Sequence, residues 1–325
     1  MSLEEFLEEW NNSSPYVHVQ TSGSTGAPKP MMVEKRRMLA SARITCDFLA
    51  LHEGDTALLC MSLDYIAGKM MVVRSSERRL KLIAVEPSGH PLAAVNSYIN
   101  FAAMVPMQVF NSLQVPEERE RLMQIKQLII GGGAIDESMA AVLKTFPNAV
   151  WSTYGMTETL SHIALRRLSG PEASEWYSPF DAVNVSLSAD GCLVIEAPEV
   201  CEGRLVTNDI AELATDGRFR ILGRKDNVIC SGGLKIQAEQ VERSLQPYMR
   251  HPFMISKRPD EKFGEIVVLL TEGSTDEAQA ICERILPKYH QPRAYLHVDS
   301  IPLTATGKPA RKKAELYFES YCPSL

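Results

Sequence analysis

Between residues 34 and 153, short apolar bursts alternate with longer segments of helical period, and this alternation constrains the fold more than any other feature. Ala57–Met61, Leu80–Val85, Gln127–Ile130 and Ala149–Ser152 are apolar runs of strand length. Around them, Met38–Leu51, Ile66–Val73, Pro116–Gln124 and Asp136–Phe146 repeat apolar residues at helical spacing. A strand covered on both faces reads as a continuous apolar run, and helices between such strands provide the cover. The pattern predicts α/β layering around a largely parallel sheet. Upstream, Leu3, Phe6, Leu7 and Trp10 share one helical face, with Ser2 and Glu5 placed to form a capping box. Tyr16–Gln20 reads as a strand entering a Gly/Ser/Thr loop.

The character changes after residue 180. Strand patterns over 181–222 are punctuated by Asp190-Gly191 and Asp216-Gly217, both hairpin signals, which predicts a small antiparallel β unit. From Lys225 a second mixed pattern begins: Gln237–Leu245 helical, Ile266–Thr271 extended, Asp276–Leu286 helical, Ala294–Val298 extended. The boundary expected near Gly223–Asp226 gives a large domain, 1–224, and a small α+β domain, 225–325. No internal repeat is visible.

Charge and cysteine usage exclude several classes. The formal net charge of −6 lacks the basic excess of a duplex-binding domain, which argues against nucleic acid as a partner. Seven scattered cysteines with no C-x-x-C pair fit a reduced, cytoplasmic protein. No apolar run approaches the ~18–20 residues of a membrane span. Glu4, Glu5, Glu8 and Glu9 give the N-terminus the wrong sign for a secretory signal. The oligomeric state is left open.

The most informative segment is Thr21-Ser22-Gly23-Ser24-Thr25-Gly26-Ala27-Pro28-Lys29. Its glycines let backbone approach an anion, and its hydroxyls and lysine supply donors, so it can cradle a polyphosphate. It is not a Walker A loop, because Pro28 and Pro30 flank the lysine. Four further segments follow in order: Gly131-Gly132-Gly133-Ala134, Tyr154-Gly155-Met156-Thr157-Glu158, Thr207-Asn208-Asp209 with Gly223-Arg224-Lys225-Asp226, and Pro302–Arg311 with Lys308 beside Gly307. Each alone is a turn or a solvated charge.

Together, these strings resemble the motifs of adenylate-forming enzymes, the acyl-CoA synthetase and adenylation-domain superfamily, over nearly the whole chain. The resemblance implies that residues 21–29 hold phosphates, although Pro30 stands where the family usually has glycine. Gly132, Gly133 and Ala134 would line the adenine and acyl pockets. Tyr154, Gly155 and Met156 would sit against adenine, with Thr157 at the α-phosphate and Glu158 on Mg²⁺. Asp209 and Arg224 would bind the ribose, and Asp226 would be the hinge of a mobile C-terminal domain. Gly232 and Gly233 would border the CoA path, and Lys308 would be the catalytic lysine. The implied reaction joins a carboxylic acid to ATP as an acyl-adenylate, then to CoA. Fuller relatives carry a substantial subdomain ahead of the phosphate loop, so the resemblance implies a family fold shortened at the N-terminus.

The expected acyl-pocket segments are Ser62–Val73, Ala102–Val109 and Leu160–Arg166. Lys69 and Arg74 stand on an otherwise apolar helix, where a cation costs desolvation unless an anion meets it. They are either snorkelling side chains or a pocket for a second carboxylate. Arg74 and the Ser-Leu start of this segment resemble o-succinylbenzoate–CoA ligases of menaquinone biosynthesis, which implies an aromatic dicarboxylate as substrate. His162 would contact that acid, or pack as an ordinary core histidine. Two other readings stand beside this one: a different acyl-CoA ligase or carrier-loading enzyme, with Arg78, Arg79 and Lys81 as a docking patch, and an inactive nucleotide-binding relative. Retention of Thr157, Glu158, Asp209, Arg224 and Lys308 argues against the last.

Overall fold

Ser2 caps the first helix as its sequence predicts. The Glu5 N–H donates to Ser2 Oγ (3.1 Å) and the Ser2 N–H to Glu5 Oε2 (2.7 Å), starting α1 (Leu3–Asn11). The computed structural model describes residues 1–20, 30–133, 135–303 and 309–321. Strand β1 (Tyr16–Gln20) buries Val17 and Val19 and pairs antiparallel with β2 (Pro30–Glu34), the last pair being Gln20 with Pro30. The predicted phosphate loop, 21–29, lies between these strands and outside the described residues.

Helix α2 (Lys35–Phe48) leads into the alternation that the apolar runs foretold: β3 (Thr56–Leu59), α3 (Ile66–Arg78), β4 (Lys81–Ala84), β5 (Phe101–Met104), α4 (Pro106–Gln114), α5 (Pro116–Gln124), β6 (Gln127–Ile130), α6 (Glu137–Lys144), β7 (Ala149–Gly155), β8 (His162–Arg167) and β9 (Ser178–Pro179). These strands form one sheet in the order β4-β3-β5-β6-β7-β8-β9. Pairing is parallel from β4 through β7 and antiparallel for β8 and β9. Leu58, Ala102, Met104, Leu128, Ile130 and Val150 meet Val109, Leu122 and Leu143 from the helices in one buried cluster. Crossover helices bury parallel strands on both faces, which is why the strands read as unbroken apolar runs.

A four-stranded sheet follows, in the order β10 (Asn184–Leu187), β11 (Cys192–Glu196), β12 (Arg204–Leu213), β13 (Phe219–Arg224). Two of its three turns fall at the Asp-Gly pairs, closed by Ser188 N–H to Cys192 O (2.8 Å) and Ala214 N–H to Arg218 O (2.8 Å). Then come β14 (Val228–Ser231), β15 (Leu234–Gln237), α7 (Ala238–Leu245), β16 (Phe253–Asp260), β17 (Gly264–Thr271), α8 (Thr275–Ile285), β18 (Ala294–His297) and α9 (Arg311–Tyr321). Strand β17 is central to this last sheet: Val267 and Leu269 pack towards α7 and α8, Ile266, Val268 and Leu270 towards Ala314 of α9.

The chain divides into two compact units. One comprises Met1–Ser186, Val194–Leu205 and Leu213–Arg220; the other comprises Leu187–Leu193, Val206–Glu212 and Ile221–Leu325. Among the described residues, no helix is long and apolar enough to cross a membrane.

Candidate active site

Strand β7 delivers the Tyr154–Glu158 motif to the carboxyl end of the parallel sheet, the place where open α/β sheets bind ligands. The chain there turns back sharply on itself. Gly155 opposes His162 with a register shift, and a Cβ on Gly155 would lie 2.2 Å from Ser161 O, so only glycine fits. Leu160 has φ 63, a left-handed conformation costly for a leucine, and it is buried. The turn is therefore held against backbone strain.

Tyr154 belongs to an aromatic wall. Its ring lies 5.1 Å from Phe219 and 5.8 Å from Tyr177, and Tyr177 stacks on Phe219 at 5.5 Å. Ser152 Oγ and Tyr177 OH are 2.9 Å apart, which fixes the second ring. Such a wall suits a planar heteroaromatic ligand. Thr157 and Glu158 begin a short 3-10 turn, and the Glu158 side chain is exposed, with no hydrogen bond or ion pair among the described residues. An uncommitted hard oxygen donor of this kind fits Mg²⁺, which takes one or two carboxylates and completes its shell with phosphate and water oxygens. Among the described residues there is no group of three metal-binding side chains.

The Gly131–Gly133 turn leaves β6, with the Gly131 N–H donating to Met104 O (3.1 Å); Ala134 lies outside the described residues. In the second unit, Thr207 Oγ1 donates to Leu193 O (2.8 Å) and accepts from the Asp209 N–H (3.1 Å). Arg224 then bridges Asp209 (3.2 Å) and Asp226 (3.1 Å). Burial opposes the Arg224 charge, but the two carboxylates outweigh it and hold the guanidinium above its ordinary value. The structure thus brings together all three residues of the predicted ribose and hinge segment. Gly232 and Gly233 form the exposed turn between β14 and β15, with the Gly232 N–H on Phe263 O (2.8 Å). Lys308 lies outside the described residues. Its flanks are pinned: Leu303 bridges Pro309, the Ala310 N–H donates to Pro302 O (2.8 Å), and Arg311 grips Glu242 with 2.6 and 2.7 Å bonds.

Helix α3 carries both predicted pocket cations, and the two part company. Lys69 is 2% exposed; its Nζ donates to His18 O (2.7 Å) and lies 3.5 Å from Glu9 Oε2. Its charge is answered inside the fold, by Glu9 and the His18 carbonyl. The helical pattern could not reveal a partner on α1. Arg74 is also 2% exposed, yet no carboxylate pairs with it among the described residues. One Nη donates to Ser161 Oγ (2.5 Å), and Nε is buried without a partner. Burial pulls its pKa down to about 10. His162 is buried beside it, bonded to Thr45 Oγ1 (3.1 Å) and Ser161 Oγ (3.2 Å). Burial, reinforced by Arg74, pushes this imidazole well below its ordinary value, so it is neutral.

Residues 4–182 match the family model for AMP-binding enzymes. The chain belongs to the AMP-binding enzyme family. As such it is similar to the 2-succinylbenzoate–CoA ligase of Listeria monocytogenes, 25% identical over 95% of this chain and 71% of the relative. An acyl-CoA synthetase (AMP-forming)/AMP-acid ligase II-like protein from Dyadobacter fermentans is 32% identical, with a TM-score of 0.67 over 96% of this chain and 92% of that one. The o-succinylbenzoate coenzyme A synthetase of Bacillus subtilis, solved with ATP and magnesium ion, shares the fold at TM-score 0.77 and 22% identity, over 91% of this chain and 69% of that one.

For this AMP-binding enzyme the motifs were legible, and the residues that surround them were not. Tyr177, Phe219, Ser161 and Thr45 carry no motif, and only the fold brings them to Tyr154, Arg74 and His162. In the basic cluster at the end of α3, Arg78 pairs with Asp47 and Arg79 with Glu53 (3.0 Å).

Proposed function

We propose that the chain is an ATP-dependent acid–CoA ligase acting on an aromatic dicarboxylate, 2-succinylbenzoate. One carboxylate oxygen attacks the α-phosphorus of ATP, the α–β anhydride bond breaks, and pyrophosphate leaves. The CoA sulfur then attacks the acyl carbon, the acyl–oxygen bond breaks, and AMP leaves with the electron pair. Both steps call for charge stabilisation more than covalent help from the protein. Residues 21–29 hold the departing pyrophosphate. Lys308 bridges the attacking carboxylate and the α-phosphate, with Thr157 beside it. Glu158 holds Mg²⁺, whose charge offsets that of the phosphates. Tyr154 packs against adenine, and Asp209 and Arg224 hold the ribose. Residues 225–325 act as the mobile domain, turning at Asp226 and admitting CoA past Gly232 and Gly233.

The observation that carries the choice of acid is Arg74, a buried guanidinium with no carboxylate partner among the described residues, next to the residues that follow Glu158. A cation so placed is costly until an anion arrives, and the second carboxylate of the acid is that anion. The names of the relatives support the same acid.

Pyrophosphate release is to be measured across 2-succinylbenzoate, benzoates and fatty acids, with and without CoA. 2-Succinylbenzoate should be the best substrate, with thioester appearing when CoA is present. Arg74→Ala should raise KM for it roughly 100-fold and barely change that for a monocarboxylic acid. Equal effects on both acids would remove Arg74 from the pocket, and release with none of them would end the ligase reading.

A further inference from the structure

The hydrogen bonds around Arg74 form a chain whose direction can be worked out proton by proton. Thr45 Oγ1 lies 3.0 Å from Ser41 O and 3.1 Å from His162 Nε2. His162 Nδ1 lies 3.2 Å from Ser161 Oγ, and Ser161 Oγ lies 2.5 Å from an Arg74 Nη. Arg74 can only donate, and the Ser41 carbonyl can only accept. Each hydroxyl has one proton, and the neutral imidazole has one N–H.

Two arrangements are possible. If His162 carries its proton on Nε2, then Arg74 donates to Ser161, Ser161 to His162 Nδ1, His162 to Thr45, and Thr45 to Ser41 O. Every proton in the chain has an acceptor. If the proton sits on Nδ1, Ser161 Oγ receives two donors, from Arg74 and His162. Its own proton is then left without an acceptor among the described residues, and Ser41 O loses its side-chain donor. Groups in so dry a place favour the fully paired arrangement.

The Ser161 backbone is fixed independently of this chain. Its carbonyl accepts from Thr159 Oγ1 (2.7 Å) and presses on Gly155, leaving the hydroxyl's rotation as the main freedom. We propose that His162 is a positioning residue, held in its Nε2–H form by Thr45: its Nδ1 takes the Ser161 hydroxyl proton, fixes the rotation of that hydroxyl with its lone pairs towards Arg74, and so sets where that cation meets the acid. His162 then acts through Ser161 and does not touch substrate. Thr45, on α2, becomes a remote determinant of acid specificity. The specificity part of this inference rests on the proposed role of Arg74; the proton arrangement does not.

The two are tested separately. In the ¹⁵N-labelled full chain, long-range ¹H–¹⁵N spectra report which imidazole nitrogen is protonated, with His162 assigned by its loss in His162→Asn. The expected pattern is a single Nε2–H form, and an Nδ1–H form or a mixture overturns the proposal. Thr45→Val removes one hydroxyl from a buried site at nearly constant shape. It should abolish the single form and move the Arg74 Nε–H signal, assigned with Arg74→Lys; an unmoved Arg74 signal also overturns the proposal. With 2-succinylbenzoate as the probe acid, Thr45→Val should raise KM about 10-fold at nearly unchanged kcat, because a hydrogen-bonding site loses order without losing its reacting groups. A 2-succinylbenzoate KM unchanged by Thr45→Val, where Arg74→Ala raises it, counts against the positioning role. If wild-type protein ignores 2-succinylbenzoate, the proposed function fails while the spectra still decide the proton arrangement.

Discussion

At the residue scale, Arg74 marks a conflict between stability and use. Its partner on the protein is one serine hydroxyl, and its buried Nε goes unpaired. A buried ionic group without a counter-ion is worth less to the fold than an apolar side chain of similar volume. Arg74→Met should therefore raise resistance to urea by about 1 kcal/mol or more while impairing turnover of the dicarboxylic acid. A variant that unfolds more readily would mean that the Ser161 bond outweighs the desolvation. Ser161 lies in the expected acyl-pocket segment Leu160–Arg166, but neither its bond to Arg74 nor the place of Thr45 could be assigned from sequence. Both are common residues without a motif, and their roles arise from a cation on another helix.

At the element scale, α1 is fixed to α3 through Glu9 and Lys69. Burial opposes the Glu9 charge, but the His18 bonds and the Lys69 charge outweigh it and keep the carboxyl below its ordinary range. Glu9→Gln strands Lys69 and should cost about 2–3 kcal/mol in chemical denaturation. A depressed carboxylate stabilises the fold above its ordinary range and ceases to do so as pH falls through its folded value. The gap between wild type and Glu9→Gln should accordingly close on acidification, and a gap that stays constant would remove the ion pair as its cause. Elements were legible where local chemistry punctuates them. Pro116 opens α5 and the run Gln127–Ile130 is β6, both as the sequence predicts. Phe101–Met104 escaped notice as a strand because it flows through Val105-Pro106 into α4, and a short apolar run has no period of its own. The apolar run that marks α3 in the sequence ends at Val73, because the residues after it are polar and carry no apolar period. The helix continues to Arg78 and ends on Arg79, whose φ is 53.

At the scale of the whole molecule, the proposed division of labour separates the two half-reactions. Lys308→Ala should abolish pyrophosphate release while leaving synthetic 2-succinylbenzoyl-adenylate convertible to thioester by CoA, at a rate within about 3-fold of wild type. Equal loss of both half-reactions would mean that the lysine does not belong to adenylation alone. Helix α3 has a consequence on this scale too. Through Lys69 it holds His18 on β1, the strand that runs into the predicted nucleotide cradle, and five residues on, through Arg74, it holds the turn at the proposed acid site. A helix advances about 1.5 Å per residue, so the two grips are only some 7–8 Å apart on one rod. Any help that bound ATP gives to the acid must be returned by the acid to ATP in equal measure, as a single exchange between two ligands.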